Sequence, residues 1–265
     1  MDAVAHPGLA PLLFLGHGSP MNSVRDNAFT RRLSQLGREL SPPAAACVIS
    51  AHWLTRGETR VGTSQRPGTI HDFGGFPPEL FALRYPALGS PRYARELIQC
   101  VQQVDVREDG ERGLDHGAWS VLLHLWPDAA VPVFQLSIDW DKPQAWHFAL
   151  GRELRALRRR GVLVLCSGNI VHNLGLLSPL EEDPQVAGWA LEFDKWAAER
   201  LEARDFSALI DHERNGPSAR LAVPDNDHYL PFVYALGALA DTEALRSLYS
   251  GFQHGSISMR CFASV

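Results

Sequence analysis

Four of the eleven histidines in this 265-residue chain lie in short segments suited to reactive chemistry: Gly16-His17-Gly18-Ser19-Pro20, Ser50-Ala51-His52-Trp53, Gly168-Asn169-Ile170-Val171-His172-Asn173 and Asn226-Asp227-His228-Tyr229. Neutral imidazole binds Fe(II), Zn(II) and Cu(II). Three such ligands with a position left open describe a reactive centre better than a closed structural one. The residue types alone do not select the metal. His116 opens Leu114-Asp115-His116-Gly117-Ala118-Trp119, a helix start in which glycine permits close approach and a neighbouring carboxylate is placed to orient the ring. That makes it a second candidate acid or base. His71 and Asp72 head a glycine-, proline- and aromatic-rich stretch, 66–86, that reads either as a pocket wall or as a packed surface loop. His6, His124, His147, His212 and His254 have no such context and are expected to be ordinary hydrogen-bonded side chains.

For distant imidazoles to meet, the intervening chain must form elements that end in one place. Apolar runs at 11–15, 45–50, 131–138 and 162–167 read as buried strands. Helical spacing runs through 27–40, 91–103, 119–126, 145–160, 186–203 and 228–239, and the tail 256–262 alternates as a late strand does. Strands alternating with helices predict an α/β fold: a single domain over residues 1–265 with a central, mostly parallel sheet flanked by helices on both faces. In such sheets functional groups gather beyond the carboxyl ends of the strands, which is where His17 and His52 fall. The basic residues Arg158-Arg159-Arg160 before Gly161 read as complementing a helix dipole beside a glycine cap.

Composition narrows the function classes. A net charge of −5 gives no basic footprint for nucleic acid. No apolar run is long enough for a membrane helix, and no basic and apolar leader opens the sequence. The four cysteines are widely separated, without a Cys-x-x-Cys pair, which fits a reduced, cytoplasmic setting better than a disulfide framework or a zinc ribbon. A monomer or small homo-oligomer is expected.

Together these segments resemble the class III extradiol ring-cleaving dioxygenases, in particular the DOPA 4,5-dioxygenase group. The resemblance spans nearly the whole chain and also takes in Thr69-Ile70-His71-Asp72-Phe73-Gly74-Gly75-Phe76-Pro77 and His228-Tyr229-Leu230-Pro231. It implies that His17, His52 and His228 hold one divalent metal, with His228 standing where better-studied relatives have a glutamate. His172 takes either the acid–base role or a fourth ligand position, and His116 assists proton transfer or binds substrate. His71, Asp72 and Tyr229 are then substrate-binding candidates. The implied partners are a catecholic small molecule and O₂, with Fe(II) for turnover and Zn(II) in purified protein. Arg25, Arg56 or Arg84 would supply a cation for a carboxylated catechol. Two other readings compete: a zinc hydrolase, which no His-Glu-x-x-His or Gly-x-Ser-x-Gly motif supports, and a non-catalytic Memo-like binding protein on the same fold.

Overall fold

The computed structural model describes residues 8–180 and 185–264; His6 lies outside them. Its centre is an eight-stranded sheet of β1 (Leu12–Gly16), β2 (Ala45–Thr55), β3 (Thr59–Gly62), β4 (Val106–Asp109), β5 (Val133–Asp139), β6 (Val162–Gly168), β7 (Leu245–Tyr249) and β10 (Cys261–Ser264). The order is β4-β3-β5-β2-β6-β1-β10-β7, and β8 (Phe252–Gln253) pairs separately with β9 (Ile257–Ser258). The inner strands β5, β2, β6 and β1 run parallel, while β10 and β7 close one side antiparallel. On the other side, β3 meets β5 antiparallel and carries β4 parallel.

Side-chain alternation explains why both faces are covered. In β1, Leu12 and Phe14 join one apolar cluster and Leu13 and Leu15 the other, because successive side chains leave a strand on opposite sides. The first cluster packs beneath the helices Gln144–Glu153, Gly188–Glu202 and Leu230–Ala238. The second packs beneath Ala28–Glu39 and His116–Leu125. Asn27 caps the former of these helices through a reciprocal bond with Thr30, and Asp115 caps the latter by accepting from the Ala118 amide. Each cap satisfies amides that the helix cannot, a contribution of about 1 kcal/mol. Among the described residues, no helix is long and apolar enough to cross a membrane.

Three sequence expectations are corrected here. The helix expected over 145–160 is two, broken at Leu154. Arg158 does more than complement the dipole of its helix: it is fully buried, paired with Glu243, and donates to the carbonyls of Ala10 and Ala238. That network ties the Arg155–Arg158 helix to the chain's late segment, and Gly161 takes the left-handed conformation that ends the helix (φ 79°). The tail forms two short strands, β9 and β10, separated by Met259 and Arg260. Strands β3, β4 and β7 have no counterpart in the expected elements, being short and carrying Arg60, Arg107, Glu108 and Arg246. Charged residues suit the edge strands β4 and β7, where they oppose pairing with other chains.

Because β1, β6 and β2 are neighbours and parallel, the segments leaving their carboxyl ends emerge side by side. A crevice between diverging loops follows from that arrangement.

Candidate metal centre

His17 follows β1, and its backbone amide donates to Gly168 O at the end of β6 (3.2 Å). Its ring Nδ1 lies 3.0 Å from Ser167 Oγ, whose own proton goes to Gly117 O at 2.5 Å. With the serine proton committed, Nδ1 of His17 must carry the hydrogen, which leaves a lone pair on Nε2. His52 rides on β2, where the pairing with β5 shifts register between Ile49 and Leu54. An irregularity of that kind re-aims side chains beside functional sites. Its Nδ1 faces Asp72 Oδ2 at 3.3 Å, and its Nε2 faces His17 Nε2 at 3.2 Å. His228 precedes the Leu230–Ala238 helix with Nδ1 3.0 Å from Asp227 Oδ1. Its carbonyl accepts the Asn169 amide at 2.8 Å, which holds the turn against the end of β6. A Cβ on Gly168 would strike that same carbonyl, so the approach requires glycine.

These three side chains each offer a donor atom within 4.8 Å of the other two. The set fits a cation. Metal–nitrogen bonds of about 2.0–2.1 Å place tetrahedral donors about 3.4 Å apart, close to the observed 3.2 Å between His17 and His52. His17 presents its outer nitrogen to Ser167 and His52 to Asp72, the arrangement that fixes tautomer and ring direction in metal-bound histidines, while Nδ1 of His228 lies 3.0 Å from Asp227 without a hydrogen bond's angle. Inward-facing lone pairs at this distance repel one another unless a positive charge lies between them. Burial, and then the neighbouring imidazoles, hold the pKa values of His17 and His228 well below the usual histidine range. Burial lowers His52 to about 4, and His116 adds to the effect. The rings are therefore neutral donors at neutral pH.

His116 is the first residue of its helix, with its ring centroid 3.9 Å from that of His52 and 5.6 Å from that of His17. The carboxylate expected to orient it was its neighbour Asp115; the structure supplies Asp72 instead. Asp72 Oδ1 accepts the His116 amide at 2.9 Å and lies 3.0 Å from His116 Nδ1. The Nδ1 contacts of His116 and His228 have the distance of a hydrogen bond but not its angle. Asp115 turns inward to accept from Ser50 Oγ (2.6 Å), Gln135 Nε2 (2.8 Å) and Arg112 Nη2 (3.2 Å), fastening the helix start to β2 and β5. Gly117 permits this approach, because a Cβ there would meet Ser50 Oγ and His52 Cδ2.

His172 lies flat against His228, with ring centroids 3.5 Å apart and planes 11° apart. It shares a donor group with Asp227 and His228, not the one formed by His17, His52 and His228. Burial lowers its pKa to about 4, partly offset by Asp227.

The 66–86 segment is fastened at both ends. The Ile70 amide donates to Leu114 O (2.7 Å), Trp119 Nε1 donates to Ile70 O (2.8 Å), and Tyr85 N donates to Thr69 Oγ1 (2.9 Å). Phe73 stands edge-on to His116 at 5.4 Å and contacts Phe76 and Phe81, so an aromatic wall borders the imidazoles. His71 is held within the segment, Nε2 lying 3.1 Å from Leu83 O. Tyr229 is misplaced as a substrate contact. It is fully buried, its hydroxyl donates to Leu209 O (2.9 Å), and its ring packs on Phe193 and His212. Of the arginines expected to meet a carboxylate, Arg56 pairs with Asp141 and Arg84 donates to the carbonyls of Phe81 and Leu83. Arg25 lines a surface cavity with Thr30 and Arg38. Sequence reasoning missed Ser167 and the carboxylate pairings; the adjacent dipeptides His71-Asp72 and Asp227-His228 were the only signal for the latter.

A family model described as the catalytic LigB subunit of aromatic ring-opening dioxygenase matches residues 5–260. The chain is 44% identical over 265 residues to 4,5-DOPA dioxygenase extradiol of Escherichia coli (strain K12), covering 97% of this chain and 96% of the relative. Its identity to 4,5-DOPA dioxygenase extradiol of Beta vulgaris is 33% over 251 residues, covering 92% of each. The crystal structure of an uncharacterized protein from Escherichia coli K12 superposes with a TM-score of 0.83 at 38% identity, covering 96% of this chain and 99% of that one.

Proposed function

The chain belongs to the LigB family, the catalytic subunits of aromatic ring-opening dioxygenases, and from that premise we propose that it opens a DOPA-like catechol at a metal held by His17, His52 and His228. The convergence of those three imidazoles, with Ser167, Asp72 and Asp227 beside their outer nitrogens, carries the reading. Fe(II) is the metal proposed for turnover, and Zn(II) the metal that occupies the same donors in purified protein. When bound, iron supplies the redox chemistry that lets a chelated catechol react with O₂, a capacity that zinc, with its filled d shell, lacks.

The protein's own residues supply position and protons. His172 has one face covered by His228, and a ring nitrogen of His172 accepts a proton from a catechol hydroxyl as the substrate enters. Its neutral state at neutral pH suits it to that task. His116, with Nδ1 turned to Asp72, has Nε2 left to take a proton from the second catechol hydroxyl and return it to the reacting oxygens as the ring opens. Phe73, with Phe76 and Phe81 behind it, provides a flat apolar wall for the aromatic ring and excludes water from that side. Both oxygen atoms of O₂ enter the product as one bond next to the catecholic carbons breaks, giving a muconic semialdehyde.

Protein stripped of metal and reloaded anaerobically with Fe(II) should consume O₂ in step with a yellow product when given L-DOPA or another catechol, and the zinc-loaded form should do neither. Equal rates with both metals would rule this chemistry out.

A further inference from the structure

We infer that Asp72 is a positioning residue that sets the direction of two imidazoles at once, that of a metal ligand, His52, and that of a proton-transfer group, His116. This rests on the reading of His52 and His116 given above and replaces the substrate-binding role expected for Asp72. The two carboxylate oxygens divide the work. Oδ2 lies 3.3 Å from His52 Nδ1, and Oδ1 lies 3.0 Å from His116 Nδ1 while accepting that residue's backbone amide at 2.9 Å. The three groups form one tight donor cluster, and the His52 and His116 rings are only 3.9 Å apart.

The His116 contact lacks a hydrogen bond's angle, but a carboxylate oxygen within 3.0–3.3 Å of each Nδ1 repels a lone pair there, so both rings carry hydrogen on Nδ1 and present Nε2 inward. For His52 this is the nitrogen that faces His17 Nε2 at 3.2 Å. A single carboxylate can serve both rings because it is acceptor-only on both oxygens. The isosteric amide cannot. Asparagine offers one acceptor and one NH₂, and the NH₂ would demand a lone pair on the Nδ1 it faces, turning that ring's hydrogen inward. Asp72 reaches this place because its segment is pinned two residues earlier by the Ile70–Leu114 and Trp119–Ile70 bonds. The same segment carries Phe73 against His116, so the carboxylate and the aromatic wall are set by one anchored piece of backbone.

The test is long-range ¹H–¹⁵N correlation of imidazole nitrogens in the metal-free protein, which needs neither metal nor turnover. Both His52 and His116 should appear as the Nδ1–H tautomer in the unsubstituted protein. In Asp72→Asn one of the two should become Nε2–H. Zn(II) affinity, measured by competition with a chromogenic chelator, should fall about 10- to 100-fold in that variant. With Fe(II) loaded, kcat should fall by at least about tenfold while KM for the catechol changes by less than about twofold, the split that a positioning role gives and a substrate contact does not. An Nε2–H tautomer on either ring of the unsubstituted protein would overturn the inference, even if Asp72→Asn proved unable to fold. So would unchanged tautomers and zinc affinity in a folded variant, or a raised KM with kcat kept. Correct tautomers in a protein that never consumes O₂ would instead count against the proposed reaction and leave the role of Asp72 standing.

Discussion

Replacing His17 by alanine should strip the protein of its divalent metal and, with it, of ring-opening activity. His17 is buried, fixed through Nδ1 by Ser167, and within reach of both other donors, so its loss leaves the set one ligand short. Binding of a structural zinc ion is worth about 10–16 kcal/mol shared among four ligands, so losing one costs about 2.5–4 kcal/mol, or about 10²- to 10³-fold in affinity. Metal content per chain after gel filtration, read beside O₂ uptake, checks this. The far-ultraviolet circular dichroism should stay unchanged, because the strand beneath His17 is held by the Leu12, Leu13, Phe14 and Leu15 packing. A His17→Ala protein with a full complement of metal would remove His17 from the ligand set.

His172→Ala should behave in the opposite way, keeping most of its metal and losing turnover by about 10²- to 10⁴-fold, the range for a positioned proton-transfer group. Geometry supports the distinction. His172 lies parallel to His228 with its ring centroid 3.5 Å away, so it flanks that ligand instead of joining the three-donor set. Uncovering one face of His228 costs no more in affinity than loss of an outer partner does, about tenfold to a hundredfold. The informative measurement is a metal titration and a catechol turnover assay on the same preparation. Complete loss of metal in His172→Ala would make His172 a ligand first.

Much of this architecture can be read in the chain, for stated reasons. Leu12 and Phe14 alternating with Leu13 and Leu15, and the uninterrupted apolar run of β6, are what strands covered on both faces require. Asn27 before a 3.6-residue repeat marks a capped helix start, and the structure has it there. What the chain hides is the path of its irregular segments. Strand β2 continues through His52 to Thr55, beyond the Ser50 end given by its apolar run, because the register shift lets polar residues stay in the sheet. Tyr229 follows His228, yet points away from it. Successive residues entering a helix diverge by about 100°, and Tyr229 goes into the core beside Leu209. The pairing of His116 with Asp72 in place of adjacent Asp115 spans 44 positions and depends on how 66–86 crosses the helix start. No local pattern records that crossing.

Whether imidazoles from three separate stretches of chain hold one cation is decided by X-ray absorption at the zinc edge of the zinc-loaded protein. Three imidazole nitrogens at about 2.0–2.1 Å should surround the zinc, with one or two oxygen neighbours and no sulfur. A shell with fewer than three imidazoles, or one containing sulfur at about 2.3 Å, would contradict it.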